Sequence, residues 1–150
     1  LLNGVADADC VQVVARRLKK NSIDVMLNAK AKGFKKTKDG LDVTVDVGGK
    51  EQTIKCDKIL LTVGRKPNSD QMGLKNIGLQ LDERGFIKVN AQRKTNLPGI
   101  YAIGDIAGQP MLAHKASHEG VLVAEVIAGQ NRAYDAKTVP AVIFVDPEIA

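Results

Sequence analysis

YAIGDIAGQPMLAHKA, residues 101–116, decides how the rest of the chain is read. Its first residues are strand-like and apolar, and they run into Gly104 and a single carboxylate, Asp105. Gly108 and Pro110 then turn the chain before a helix begins near residue 112. A carboxylate at the carboxyl end of a buried strand needs water, a cation, a helix N-terminus or a ligand, because burying it unpaired is very costly. In an open α/β sheet the same strand end is where ligands sit. The sequence therefore predicts that Asp105 and the start of the next helix face one crevice. There the backbone N–H groups of Met111, Leu112 and Ala113 turn their positive end toward an electron-rich group.

Downstream, the helix over 112–128 places Ala116, Val121, Ala124 and Ile127 on its predicted apolar face. Lys115, Glu119 and Glu125 fall to the wetter side, and Gly129 stops the helix. Gly120 inside it suggests close packing against a neighbour. The polar run QNRAYDAK, 130–137, is the best candidate for a domain boundary, and TVPAVIFVDPEIA, 138–150, opens another strand that ends in the turn at Asp146-Pro147-Glu148. Upstream, DKILLTVGRKPN, 57–68, carries the apolar run Ile59 to Val63, which reads as a strand buried on both faces. It ends at Gly64, with Arg65, Pro67 and Asn68 in a loop. Glu83-Arg84-Gly85 and Pro98-Gly99 read as tight turns before the short runs FIKVN, 86–90, and IYAIGD, 100–105.

The first third follows a different rule. Val11, Val14, Ala15 and Leu18 recur at helical spacing, with Asp7 or Asp9 as N-cap and Lys19 and Lys20 at the end. SIDVMLNAKAKGFKKT, 22–37, reads as a strand entering a polar strand, and TKDG, 37–40, as a turn. LDVTVDV, 41–47, alternates apolar and polar without a break, and Gly48-Gly49 returns the chain in a hairpin. These make a three-stranded antiparallel meander. The predicted fold class is α/β, combining this meander, parallel-sheet strands and a helix after the Gly104-Asp105 strand.

At 150 residues the chain is the size of one ordinary domain. No apolar run approaches the roughly 20 residues of a membrane span. Neither LLNGVADADC at the start nor VDPEIA at the end reads as a natural terminus, so an internal piece of a longer protein is expected. The net charge of +5 is uneven: nine Lys and Arg against Asp24 alone between residues 15 and 38 leave the remainder acidic. Such a cluster fits nucleic acid, an acidic protein or a solvated face. Five aromatic residues are too few for a base-stacking platform, so no nucleic acid is expected. Cys10 and Cys56 form neither a CxxC pair nor a metal quartet, and such sparse thiols suit a reducing cytoplasm. His114 and His118 lie four apart on one helix face, but no third ligand is spaced to join them, so no metal is expected.

An acid that accepts ligand hydroxyls beside an amide-rich helix mouth suits a ligand with a polyol and an anion-forming ring, and a ribityl flavin has both. The runs LLTVGRKPN, 60–68, TNLPGIYAIGD, 95–105, and PMLAHKASHEG, 110–120, resemble matching segments of the flavin-dependent pyridine-nucleotide disulfide oxidoreductases. Within that family, the MLAHKA stretch and VPAVIFVDPEIA are most similar to the dihydrolipoamide-oxidising members. The resemblance spans essentially the whole chain in the right order. It implies that Asp105 binds a ribityl hydroxyl of FAD. It implies that Met111, Leu112, Ala113 and His114 lie against the isoalloxazine, and that Gly64 lies beside NAD. It further implies that residues 1–65 are the C-terminal part of an NAD-binding domain, 66–136 a central FAD-contacting domain, and 137–150 the start of a dimer-interface domain. The partners it implies are a second copy, lipoyl domains and the core of 2-oxo-acid dehydrogenase complexes, in the cytoplasm or, in a eukaryote, the mitochondrial matrix.

The family's GxGxxG fingerprints, its redox-active cysteine pair and its His-Glu pair do not occur in these residues, so this segment alone holds no catalytic residue and is expected to be inactive. Three other readings stay open on the sequence: a related disulfide reductase of the glutathione or mercuric type, a non-catalytic nucleotide-binding module, and a basic interaction module using residues 15–38.

Overall fold

Helical spacing of apolar residues builds the first element, α1, over Ala8–Lys20. The computed structural model describes residues 1–2 and 4–150. Val14 is buried, with Val11, Ala15 and Leu18 half-buried beside it, so the predicted face is the one that packs. Asp7 is the N-cap residue, but its side chain makes no capping bond. Arg17, Lys19 and Lys20 occupy the last turn, where cations complement the helix dipole. Arg17 reaches Asp146 through Nε at 3.0 Å and Nη2 at 2.7 Å, both on the same carboxylate oxygen.

The meander forms as β1 (Ala29–Thr37), β2 (Gly40–Val47) and β3 (Lys50–Cys56), antiparallel in the order β1-β2-β3. Thr37 faces Gly40 across the first turn and Val47 faces Lys50 across the second, where Asp46 Oδ1 accepts the Gly49 N–H at 2.8 Å. A bulge between Ala31 and Gly33 shifts the register of the edge strand β1. β1 is exposed along its whole length, and Val45 of β2 is the buried residue of the sheet. The strand predicted from residue 22 begins only at Ala29.

Three other strand expectations are corrected. Ile59 to Val63 pairs with nothing among the described residues, and Leu60, Leu61 and Val63 are exposed. A doubly buried strand needs hydrogen-bonding neighbours and two covering layers, and these residues find neither. Parallel strands are accordingly absent from the described residues; the sheet is the antiparallel meander. Around 101–105 the only ladder contact among the described residues is the isolated bridge between Lys94 and Tyr101, and Asp105 lies in a 3₁₀ turn, Gly104–Ala107, not at a strand end. Residues 138–150 likewise hold one bridge, Ile143 to Ile149, rather than a strand.

The chain forms two compact units, residues 1–63 with 142–150, and residues 64–141. The core of the second unit is Leu79, Ile87 and Ala102, with Leu74, Leu81, Val89, Leu97, Ile106 and Ala107 packed around it. Its turns are closed by short polar side chains. Asp82 Oδ1 accepts the N–H groups of Arg84 and Phe86, fixing the predicted turn at Glu83-Arg84-Gly85. The N–H of Ile100 donates to Leu97 O across Pro98-Gly99.

α2 spans Ala113–Ile127, close to its predicted bounds, but its orientation is the reverse of the expected one. Lys115, Glu119, Leu122 and Val126 are buried, whereas Val121 and Ile127 are exposed. Positions i, i+4, i+7 and i+11 form one stripe of a helix, so two charged residues head the inward stripe. Gly120 faces Ile103, where an added Cβ would make only ordinary contact at 3.5 Å from its Cδ1. Among the described residues no helix is long and apolar enough to cross a membrane.

Candidate functional site

The turn Gly104–Ala107 and the N-terminus of α2 form the candidate site. Gly104 has φ +74°, and a Cβ there would lie 3.0 Å from the Ala116 Cβ, so glycine permits both the left-handed backbone and the close approach to α2. The turn holds Asp105 outward, with its side chain about half exposed.

Arg65 connects Asp105 to the helix mouth. Its Nη1 donates to Asp105 Oδ2 at 3.0 Å, and its Nη2 donates to the Met111 carbonyl at 2.6 Å. Of the partners open to such an acid, Asp105 thus meets a cation: one carboxylate oxygen is held by a guanidinium, and Oδ1 accepts no hydrogen bond among the described residues. With 63% of the Arg65 side chain and 48% of the Asp105 side chain exposed, the pair is screened by water. Arg65→Ala is therefore expected to change the unfolding free energy by less than about 1 kcal/mol in urea denaturation; a larger loss would show a desolvated pair. Immediately beyond, Lys66 Nζ donates to Asp70 Oδ2 at 2.7 Å. That bond, with the attraction of the charges, holds the Asp70 carboxyl below its ordinary range and raises the Lys66 ammonium.

The start of α2 has no side-chain cap and no acid in its first turn. Of the three amides expected to be free, that of Leu112 donates to Pro110 O at 3.1 Å, so it is engaged. Met111 is buried, Leu112 half-buried, and Ala113 and His114 exposed. His114 Nε2 lies 2.7 Å from Pro140 O. Since a carbonyl only accepts, that nitrogen carries the proton. Gly64, at φ +113° with open space where a Cβ would stand, directly precedes Arg65. The structure thus brings Asp105 and Met111 together through Arg65, with Leu112 to His114 continuing from Met111.

Behind the turn lies a charged cluster that sequence reasoning did not find. Glu119 is completely buried, and its Oε2 accepts the Gly104 N–H at 2.6 Å. Its Oε1 lies 3.2 Å from both Arg93 Nη2 and Lys115 Nζ, yet accepts a hydrogen bond from neither. Lys115 Nζ donates to Gly108 O at 2.9 Å and reaches Gly104 O at 3.4 Å. The Arg93 guanidinium stacks over the Tyr134 ring at 4.0 Å. The spacing of Lys115 and Glu119 marks an i, i+4 pair, but nothing in that spacing tells a buried pair from a surface one. Arg65 gave no signal beyond its place after the glycine.

A family profile described as pyridine nucleotide-disulphide oxidoreductase matches residues 1–120. The chain is 49% identical over 138 residues to a dihydrolipoyl dehydrogenase of Geobacillus stearothermophilus, covering 92% of this chain and 29% of that protein. It is 44% identical over 146 residues to a dihydrolipoyl dehydrogenase of Thermus scotoductus, covering 96% and 32%. The chain therefore spans about three-tenths of the length of these relatives. Its fold matches the crystal structure of LpdA from Mycobacterium tuberculosis with a TM-score of 0.83 and 29% identity, over 95% of this chain and 30% of that one. The HOCl-induced flavoprotein disulfide reductase RclA of Escherichia coli, at 24% identity and TM-score 0.86 over 99% of this chain and 34% of its own, shares the fold. With the profile covering most of its length and the fold agreeing, this chain belongs to the pyridine nucleotide-disulphide oxidoreductase family.

Proposed function

We propose that the chain is part of a dihydrolipoyl dehydrogenase, a flavoprotein that oxidises the dithiol of protein-bound dihydrolipoamide to its disulfide and delivers the two electrons to NAD. The observation that carries this reading is the 49% identity to a dihydrolipoyl dehydrogenase across 92% of the chain. The candidate site fits FAD on its own chemistry. α2 begins without a cap or an acid in its first turn, which leaves its positive end for an electron-rich group. Asp105 keeps Oδ1 for a ligand hydroxyl, while Arg65 orients the carboxylate toward the Met111 end of the helix.

When bound, FAD supplies the two-electron acceptor between dithiol and nicotinamide. This chain's residues bind and orient: Asp105 takes a ribityl hydroxyl, Met111 to His114 present the helix end to the ring, and Gly64 leaves space beside NAD. Residues 1–65 then belong to the NAD domain, 66–136 to the FAD-contacting domain and 137–150 to the dimer interface. A homodimer serving lipoyl domains of a 2-oxo-acid dehydrogenase complex in the cytoplasm completes the reading.

The test uses the full-length protein containing these residues. It is expected to form NADH from dihydrolipoamide and NAD, and to show little activity on glutathione disulfide. Asp105→Ala should weaken FAD binding about tenfold or more, the worth of a hydrogen bond to a charged group, read as FAD per protein after dialysis. Preference for glutathione disulfide moves the protein to a sister reductase, and undiminished FAD in Asp105→Ala removes Asp105 from the site.

A further inference from the structure

The Gly104–Ala107 turn is held from behind by charge. Glu119 accepts the N–H of Gly104, and Lys115 donates to the carbonyls of Gly104 and Gly108, so both ends of the segment bearing Asp105 are tied to α2. The side chains of Lys115 and Glu119 are 4% and 0% exposed and that of Arg93 is 13% exposed. Two cations therefore share one carboxylate, with Lys115 and Glu119 out of reach of water and Arg93 nearly so, and the three side chains together carry one excess positive charge. Lys115 is the third residue of α2, so that charge lies in the first turn, where the helix dipole is already positive. No apolar residue in this position would tie the turn, and a single balanced pair would leave no excess charge.

We propose that Lys115, with Glu119 as its counter-charge, is a positioning residue: it sets the turn that presents Asp105 and places a buried positive charge under the ligand-facing end of α2. This rests on the reading that a flavin docks there. Negative charge accumulates on a flavin as it is reduced, so a buried cation nearby favours the reduced form. Lys115→Met leaves Glu119 paired with Arg93 and cancels the excess charge. Glu119→Gln can still accept the Gly104 N–H but leaves both cations without a counter-charge.

A merely structural cluster gives both variants similar defects, whereas this one gives shifts of opposite sign. In the full-length holoprotein, the reduction potential of the bound flavin, measured against a reference dye, is expected to fall in Lys115→Met and rise in Glu119→Gln. FAD dissociation constants should rise about tenfold in Lys115→Met, as donors to two turn carbonyls are lost. Where Glu119→Gln does not accumulate folded, Lys115→Met decides alone. A potential that is unchanged or raised in that variant, or an FAD affinity within twofold of the parent, overturns the proposal. If the parent binds FAD and only Asp105→Ala loses it, the site reading stands and this inference fails. If the parent binds no FAD, both fail.

Discussion

Glu119→Ala is expected to lower the unfolding free energy by about 3–5 kcal/mol, the usual loss when one partner of a buried ion pair is removed. Glu119 is completely buried, and its two oxygens face two cations and a backbone N–H. Alanine leaves Lys115 and Arg93 without a counter-charge and the Gly104 N–H without an acceptor. Small domains are stable by only about 5–15 kcal/mol in total, so a loss of this size shifts a urea unfolding curve far from the parent's. Glu125→Ala on the same helix is the internal control. Its Arg132 partner is 59% exposed, and the pair contributes at most about 1 kcal/mol. Equal losses in the two variants would mean that Glu119 is hydrated in solution.

Gly104→Ala is expected to cost about 2–4 kcal/mol, from a left-handed backbone that L-residues disfavour and from crowding of α2. The crowding is specific: the new Cβ meets Ala116 Cβ at 3.0 Å, a helix side chain that can yield only if the turn moves off α2. Moving the turn stretches the 2.6 Å bond to Glu119 and carries Asp105 with it. Gly64→Ala separates the two causes, because Gly64 has φ +113° but nothing within 4 Å of the added Cβ. It should show the backbone penalty alone, about 1–2 kcal/mol. Thermal and urea denaturation of both variants gives the comparison. Were Gly104→Ala no worse than Gly64→Ala, the close contact between turn and helix would be absent in solution.

Elements whose reasons are local were legible residue by residue. The meander followed from the alternation in LDVTVDV, the Gly48-Gly49 turn and TKDG, and each of these appears in the observed register. The turns expected at Glu83-Arg84-Gly85 and Pro98-Gly99 form, the first closed by the short side chain of Asp82 and the second by the fixed φ of proline, each bonding within a few residues. Both helices start and stop within a residue or so of where their periodicity and caps put them. Failures occurred where the deciding partner lies far along the chain. Ile59 to Val63 has the composition of a central strand, but composition supplies no neighbour to pair with. The face of α2 was inverted because an apolar count assigns Lys115 and Glu119 to water, while inside the fold they pair in charge with each other and Arg93 and bond to the carbonyls and N–H of the 104–108 turn.

The candidate site divides the same way. A lone acid after a glycine, a forced turn and a helix start are written in residues 104–115, and they pointed to one end of one helix. The order of residues was thus enough for the meander, the helix bounds and the run of motifs that marks the family, all of which rest on interactions spanning a few positions. It took the folded chain to show that Arg65, forty positions before Asp105, holds that acid, and that a buried Lys115–Glu119–Arg93 cluster braces the turn from behind. The cause of the difference is solvation: a charged side chain looks the same in sequence whether water or a distant partner satisfies it, and folding alone brings that partner into hydrogen-bonding reach.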